Sequence, residues 1–203
     1  MSSQSQLAYI TPEEYLVFER KANYRSEYFN GEIFAMAGAS KKHNLIVGNA
    51  FAELHAQLKK RSCQIYSNDM RVKVNATGLY TYPDIVVACE KEQFDDKQKD
   101  TLLNPTLIIE VLSDSTEAYD RGAKFKHYRQ LVSLLEYVLI AQDKYIIEHY
   151  VRQPNGQWLF AETDDLQSIL RLPTINCHLT LHEVYNKVKM MSQLLLIPTQ
   201  PTS

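Results

Sequence analysis

The sequence predicts an α/β (α+β) fold in which strands and helices share one domain, and three observations support this prediction. An Asn30-Gly31 pair separates two strand-like runs. Apolar residues then recur at helical spacing between Lys42 and Lys60. Two short runs at 82–89 and 106–112 are rich in Ile, Val and Leu, which is typical of strands buried within a sheet.

The N-terminal part of the chain predicts a β-hairpin followed by a helix. Asn-Gly is the preferred type I′ turn because both of its positions take positive φ, and residues 24–36 surround it with strand-like runs. The helix begins after Ser40, a residue type that favours the N-cap position. Its apolar face carries Val47, Phe51, Leu54 and Leu58.

Further strands and a polar connection follow. The predicted strands cover 63–67, 70–75, 82–89, 106–112, 135–141 and 145–151. Between two of them, the stretch from Glu90 to Asn104 is so rich in charged residues that it predicts a solvated loop.

A second helix is predicted over 117–131, after the turn and N-cap residues 113–116. One side of this helix carries Phe125, Tyr128 and Val132. Later, Pro154-Asn155-Gly156 turns the chain toward Trp158-Leu159-Phe160, and the tail from 192 onward is expected to fray.

Bulk properties indicate one globular domain over residues 1–203. Hydrophobic residues make up 45% and charged residues 23%, which excludes a disordered chain. No apolar run reaches the roughly 18 residues that span a bilayer, and the N-terminus lacks signal-peptide features, so no membrane association and a cytoplasmic location are expected. The net charge of -2 means that any DNA binding must come from a local patch.

Cysteine and histidine spacing gives no metal-site or disulfide signal. Cys63, Cys89 and Cys177 are odd in number and far apart, so we expect reduced, mostly buried thiols. His149 and His178 lack neighbours at ligand-like spacing and are expected to have no role in a site.

Two carboxylates occupy positions where the strand pattern favours apolar residues. Asp84 opens the apolar run Ile85-Val86-Val87, and Glu110 interrupts the run from Leu107 to Leu112. A buried ionised carboxylate costs several kcal/mol unless a cation or strong donors offset it. Two acids on neighbouring strands suit a hard divalent cation such as Mg²⁺ or Mn²⁺, which also takes water and phosphate oxygens as ligands.

Each acid has a simpler explanation that the sequence leaves open. Asp84 follows Pro83 and could be a strand-edge or turn residue. Glu110 could form a salt bridge with a buried Lys or Arg.

Lys124 is the candidate for orienting a water molecule or stabilising charge at a phosphate. Asp120, Lys124 and Tyr128 lie at i, i+4 and i+8, on one face of the predicted helix. The alternative is a surface Asp-Lys helix pair, and Lys126 is the second lysine to consider.

Taken together, these motifs resemble the Uma-type family of putative restriction endonucleases, within the PD-(D/E)XK nuclease superfamily. The resemblance covers about residues 10–165. The segments that carry it are Glu27, Asn30-Gly31-Glu32-Ile33, Met36-Ala37-Gly38, His43-Asn44, Tyr82-Pro83-Asp84, Ile109–Ser113, Thr116–Lys124, Tyr128 and Glu136-Tyr137.

The resemblance implies a restriction-endonuclease-like core, with a central mixed sheet flanked by helices and an N-terminal β-hairpin. It also implies that Asp84 and Glu110 are the motif acids that bind a metal. The superfamily pattern has a lysine two residues after the glutamate, where this chain has Leu112. In families of this kind the lysine lies instead on the next helix, and Lys124 occupies the matching position in this chain.

Further site candidates come from the hairpin and the first long helix. In folds of this kind, Glu32 or Glu27 can add an acid to the metal site, although Glu32 could equally face solvent. His43 could contact phosphate or a metal-bound water, or it could be a plain surface residue.

The function that these features favour is metal-dependent hydrolysis of phosphodiester bonds in DNA by a homodimeric endonuclease. Two alternatives remain. The chain could be a catalytically inactive nuclease-fold module that binds nucleic acid or a protein partner, or Glu110 and Lys124 could form a purely structural pair.

Overall fold

The computed structural model describes residues 9–190, and the predicted fraying tail from 192 lies outside the described residues. The chain contains both helices and strands, as the sequence predicts. In chain order the helices are α1 (Pro12–Glu19), α2 (Lys41–Leu58), α3 (Glu117–Tyr119), α4 (Phe125–Tyr128) and α5 (Leu181–Val184). A π-helical segment, Asp120–Lys124, joins α3 to α4, and a 3-10 turn covers Pro173–Ile175.

The strands form two large sheets and a small one. Within residues 9–190 they are β1 (Ser26–Phe29), β2 (Glu32–Ala35), β3 (Gln64–Ser67), β4 (Arg71–Val74), β5 (Leu79–Thr81), β6 (Ile85–Ala88), β7 (Thr101–Leu102), β8 (Leu107–Val111), β9 (Glu136–Ile140), β10 (Ile147–Arg152), β11 (Trp158–Thr163), β12 (Ile169–Leu172) and β13 (Cys177–Thr180). The sheet orders are β2-β1-β5-β4-β7, β11-β10-β9-β8-β6-β3 and β12-β13.

The six-stranded sheet is mixed. β8 and β9 run parallel, whereas β6 pairs antiparallel with both β8 and β3. Parallel neighbours need a connection that crosses the face of the sheet, and here that connection carries α3, the π-helical segment and α4. The predicted α+β class, with mixed sheets flanked by helices, is therefore confirmed.

The predicted hairpin and its helix are also confirmed. Asn30 and Gly31 have φ values of 51° and 85°, as a type I′ turn requires, and Phe29 pairs with Glu32. Ser40 caps α2 by accepting a hydrogen bond from the His43 N–H at 3.0 Å. Both elements follow from local chemistry that the sequence shows directly.

Apolar side chains cover both faces of the six-stranded sheet. On β8, Ile109 and Val111 pack on the side of α2, whereas Ile108 and Leu112 pack on the side of α4. Because side chains alternate along a strand, Glu110 faces the same side as Ile108 and Leu112. That side is covered by the connection between β8 and β9.

The prediction of three reduced cysteines is wrong for two of them. Cys63 and Cys89 form a disulfide, and only Cys177 is a free, buried thiol within the described chain. Gln64 pairs with Ala88 across β3 and β6, so the residues just beyond them face each other. The sequence separation of 26 residues hides this proximity.

Two local predictions need smaller corrections. The polar stretch 90–104 is not entirely a loop, because Thr101 and Leu102 form β7 and run parallel to β4. The second helix ends at Tyr128 rather than near 131, so Val132 is 85% exposed instead of packing beside Phe125. No helix in the span 9–190 has the length and apolar character needed to cross a membrane.

Candidate active site

Asp84 and Glu110 lie opposite each other on adjacent strands. Ile85 pairs with Ile109, so the next position outward places Asp84 beside Glu110. The Asp84 N–H lies 3.4 Å from Glu110 Oε2 and donates to it. In turn, Asp84 Oδ2 accepts from the Val111 N–H at 2.7 Å. Backbone pairing thus fixes both carboxylates where β6 begins and β8 ends, in the interior of the six-stranded sheet.

Lys124 reaches this pair from the π-helical segment. Its Nζ lies 3.0 Å from Glu110 Oε1, 3.1 Å from Glu27 Oε1 and 3.4 Å from Asp120 Oδ1. The lysine side chain is 7% exposed, so these ion pairs are shielded from bulk water. We name Glu27, Asp84, Glu110, Asp120 and Lys124 the acidic cluster.

Hydroxyl groups hold two of the acids in place. Tyr128 donates to Glu110 Oε1 at 2.8 Å from α4. Thr81, at the end of β5, donates to Glu27 Oε1, and Tyr119 donates to Glu27 Oε2 at 3.2 Å. Each donor is neutral, so it orients a carboxylate without cancelling its charge.

His43 contacts the Asp84 carboxylate oxygen that the Val111 N–H does not bind. Its Nε2 is 2.9 Å from Asp84 Oδ1, and both side chains are about one-sixth exposed, at 16% and 15%. Because Ser40 caps α2 through the His43 backbone, the start of that helix sets the position of the imidazole. Asp84 is therefore held from the backbone of β8 on one oxygen and by His43 on the other.

Burial dominates the protonation chemistry of the acidic cluster. It raises the pKa of Glu110 from 4.5 to about 8; Lys124 opposes this rise, and Asp120 and Asp84 add to it. Burial likewise raises the pKa of Asp120. For Lys124, burial alone would lower the pKa, but Glu110 and the other neighbouring groups hold it well above its usual value.

The donor chemistry of the cluster suits a hard divalent cation. Four carboxyl groups meet a single ammonium in the cluster, so negative charge is in excess where water is scarce. In the part of the chain that the structure describes, no group of three or more His, Cys, Asp or Glu residues is arranged to hold a metal. This does not conflict with a magnesium site, because Mg²⁺ needs only one or two carboxylates and fills its other positions with water and phosphate oxygens.

The structure brings most of the predicted site residues together and leaves one out. Asp84, Glu110, Lys124, Glu27, Asp120, Tyr128 and His43 form the contacts described above. Glu32 does not join them. It shares a face of the hairpin with Glu27 but lies at the turn, opposite Phe29, with its side chain exposed.

Four contacts around Glu27 and Glu136 were not foreseen from the sequence. Tyr119 and Thr81 bind Glu27, and Tyr119 could have been noticed only as the neighbour of Asp120. His149, expected to have no role in a site, forms a buried pair with Glu136 at 2.6 Å. Thr174 also binds Glu136, so this pair ties β9 and β10 to the 3-10 turn.

Comparison with known proteins identifies the family of this chain. The family model Uma2, described as "Putative restriction endonuclease", matches residues 12–182. Two uncharacterized proteins of Synechocystis sp. are similar in sequence: sll1609 is 39% identical over 153 residues, covering 75% of this chain and 86% of that protein, and slr1290 is 37% identical over 150 residues, covering 74% and 78%.

A solved structure shares the fold. It is the crystal structure of a putative nuclease belonging to DUF820 from Anabaena variabilis, with a TM-score of 0.72 and 20% sequence identity. The match covers 87% of this chain and 97% of that one.

Proposed function

Because the chain belongs to the Uma2 family of putative restriction endonucleases, we propose that it is a metal-dependent endonuclease that hydrolyses phosphodiester bonds in DNA. One observation carries the proposal. Asp84 and Glu110 lie opposite each other at the ends of two interior strands of a buried sheet, in a cluster with more carboxyl groups than cations. Such a cluster favours the uptake of a divalent cation.

Asp84 and Glu110 would hold the metal, Mg²⁺ or Mn²⁺. When bound, such an ion polarises a phosphate oxygen and lowers the pKa of a water molecule. His43 keeps Asp84 directed toward the site through its hydrogen bond to Oδ1. Tyr128 does the same for Glu110.

Lys124 would supply positive charge at the phosphate. Its ammonium is already within ion-pair distance of Glu110, and burial strengthens its interaction with a charged substrate. We propose that Lys124, on the connection between β8 and β9, takes the role of the lysine that the superfamily pattern has two residues after the glutamate; its distance of 3.0 Å from Glu110 supports this assignment.

We also propose that the enzyme acts as a homodimer, because cleavage of both strands of a duplex is favoured by a two-fold arrangement of two sites. Light scattering coupled to size-exclusion chromatography gives the mass of the particle directly. A monomeric mass, with and without DNA, would contradict this part of the proposal.

A plasmid-nicking assay tests the activity. Supercoiled plasmid is incubated with the protein and Mg²⁺ or Mn²⁺, and the variants Asp84→Asn and Glu110→Gln keep side-chain size while removing charge. We expect the wild type to nick the plasmid and both variants to lose at least about a hundredfold in rate. Glu162→Gln, an exposed strand glutamate far from the cluster in sequence, is the matched control.

Two results would contradict the proposal. Equal nicking by wild type and both variants would show that the activity comes from another site or a contaminant. Plasmid binding without nicking, together with no heat of Mn²⁺ binding in calorimetry, would instead support an inactive nucleic-acid-binding module. That alternative draws on Leu112, which is buried where the superfamily pattern has lysine.

A further inference from the structure

We propose that Glu27 is a positioning residue that holds the Lys124 ammonium against Glu110, and that it does not bind the metal. This inference rests on the proposed function, because it assigns a task to one residue of the same site. Glu27 belongs to the five-stranded sheet, whereas Glu110 belongs to the six-stranded sheet. The link from Glu27 through Lys124 to Glu110 therefore joins the two sheets.

The first argument is that Glu27 is itself held by two neutral hydroxyl groups in addition to the Lys124 ammonium. Thr81 donates to Oε1 and Tyr119 donates to Oε2, while the lysine ammonium lies 3.1 Å from Oε1. Three different elements, β5, α3 and the π-helical segment, thus supply partners to one carboxylate on β1. These partners fix the orientation of the Glu27 carboxylate, and with it the direction from which it contacts Lys124.

The second argument is that Glu27 shares the ammonium of Lys124 with Glu110 and makes no direct contact with the proposed metal-binding pair. Within residues 9–190, its side chain makes hydrogen bonds or ion pairs with Thr81, Tyr119 and Lys124, and none with Asp84 or Glu110. Its contact with Glu110 therefore passes through the ammonium.

The third argument concerns the length and freedom of lysine. Its four-carbon side chain carries a point charge with several accessible rotamers. In the structure, Asp120 and Glu110 approach the ammonium from the helical segment and from β8, and Glu27 approaches it from the hairpin. Removing the contact from the hairpin leaves the ammonium free to shift within the cluster, and displacement by about 1 Å can cost up to a hundredfold in rate.

The test uses Glu27→Gln in the full-length protein, with Glu162→Gln as the control. For the nicking reaction, we expect kcat to fall about tenfold or more with KM nearly unchanged, because positioning affects the chemical step rather than DNA binding. Ca²⁺ binding, measured by calorimetry, should stay within about twofold of the wild type, since the metal ligands are intact. Glu27→Asp, which restores a carboxylate, should recover part of kcat.

A second readout does not depend on nuclease activity. An amine-reactive reagent labels accessible lysines, and peptide mass spectrometry reports the extent at Lys124. We expect little labelling in the wild type and several-fold more in Glu27→Gln. Tyr119→Phe removes one donor to Glu27 from a side chain that is 37% exposed, so it should fold normally and shift labelling and kcat in the same direction by a smaller factor.

The outcomes separate this inference from the proposed function. A parallel loss of Ca²⁺ affinity and kcat in Glu27→Gln would make Glu27 a metal ligand and overturn the positioning role. Unchanged Lys124 labelling in both variants would also overturn it. If the wild type nicks no plasmid with any divalent cation, the proposed function fails, and the labelling still decides whether Glu27 holds Lys124.

Discussion

Glu110 combines a buried position with three kinds of partner. It accepts from Tyr128, pairs with Lys124 and lies opposite Asp84. Burial raises the pKa of this carboxyl group to about 8, so at pH 7 it holds a proton more tightly than an ordinary glutamate does. A bound cation would favour the ionised form, so metal binding and proton release should be linked at this residue.

The protein without metal should become less stable as the pH rises from 5 to 8. Between 4.5 and about 8 the folded state keeps a proton on Glu110 that the unfolded state has released, so the stabilising contribution is complete below 4.5 and is lost as pH rises through about 8. Glu110→Gln should flatten this dependence. Urea unfolding in EDTA at pH 5, 6.5 and 8 measures it, and an unchanged slope in the variant would contradict the assignment to Glu110.

Lys124 should be needed for stability as well as for activity. Lys124→Met leaves Glu27, Glu110 and Asp120 without their shared cation, and breaking buried ion pairs in this way typically costs about 3–5 kcal/mol. Mg²⁺ or Mn²⁺ should stabilise this variant more than it stabilises the wild type.

Lys126→Met provides the matched control, because Lys126 is exposed on α4. Thermal unfolding of the two variants, each with and without the cation, makes the comparison. Equal unfolding temperatures for Lys124→Met and the wild type would show that the lysine does not compensate the buried acids.

Among the elements, the connection between β8 and β9 does most to shape the site. It enters as α3, passes through the π-helical segment and leaves as α4. π-helical turns often occur at functional sites. Here the π-helical turn begins at Asp120 and ends at Lys124, so the two residues of this ion pair lie at its two ends.

Two glycines should respond in opposite ways to alanine substitution. Gly122 lies within the π-helical segment, where an added Cβ meets no atom within 4 Å, so Gly122→Ala should raise the free energy of unfolding by about 0.5–1 kcal/mol through helix propensity. A Cβ added at Gly78 also meets no atom within 4 Å, but the φ of Gly78 is +76°, a conformation that alanine disfavours. Gly78→Ala should therefore lower the free energy of unfolding by about 1–2 kcal/mol.

Urea unfolding of both glycine variants measures these changes. The pair separates backbone conformation from steric space, because neither new methyl group meets another atom. Destabilisation by Gly122→Ala would mean that the π-helical turn depends on the flexibility of glycine.

For the molecule as a whole, the disulfide between Cys63 and Cys89 predicts a redox-dependent stability. Closing a loop of this size typically stabilises a protein by about 2–4 kcal/mol. Dithiothreitol should therefore lower the unfolding temperature of the wild type and leave Cys63→Ser unaffected. If dithiothreitol does not change the unfolding temperature of the wild type, both cysteines are reduced, as the sequence suggests.

Local patterns predicted much of the fold and the centre of the site. The Asn30-Gly31 turn and the Ser40 cap depend on residues close in sequence, and Asp84 and Glu110 stand out because charge interrupts apolar strands. The placement of Glu27 could not be derived in the same way, since it depends on the hairpin meeting the connection after β8.

Other features needed three-dimensional information for the same reason. Cys63 and Cys89 come together only because β3 pairs with β6. Thr101 lies within the polar stretch 90–104 and pairs with β4, which is distant in sequence. Val132 was misassigned because helical periodicity continued past Tyr128, where the helix ends. Long-range pairing and helix termination are therefore the two sources of error.

The burial of Leu112 has a consequence for how related chains can be identified. Leu112 lies among the apolar side chains on the α4 side of the sheet, two residues from Glu110, while the ammonium comes from the crossover above them. The proposed site lysine lies farther along the sequence than in the superfamily pattern, and its ammonium still contacts the glutamate. A search that fixes the distance between glutamate and lysine would overlook such chains, whereas one that looks for a lysine anywhere in the crossover between the two parallel strands would retrieve them.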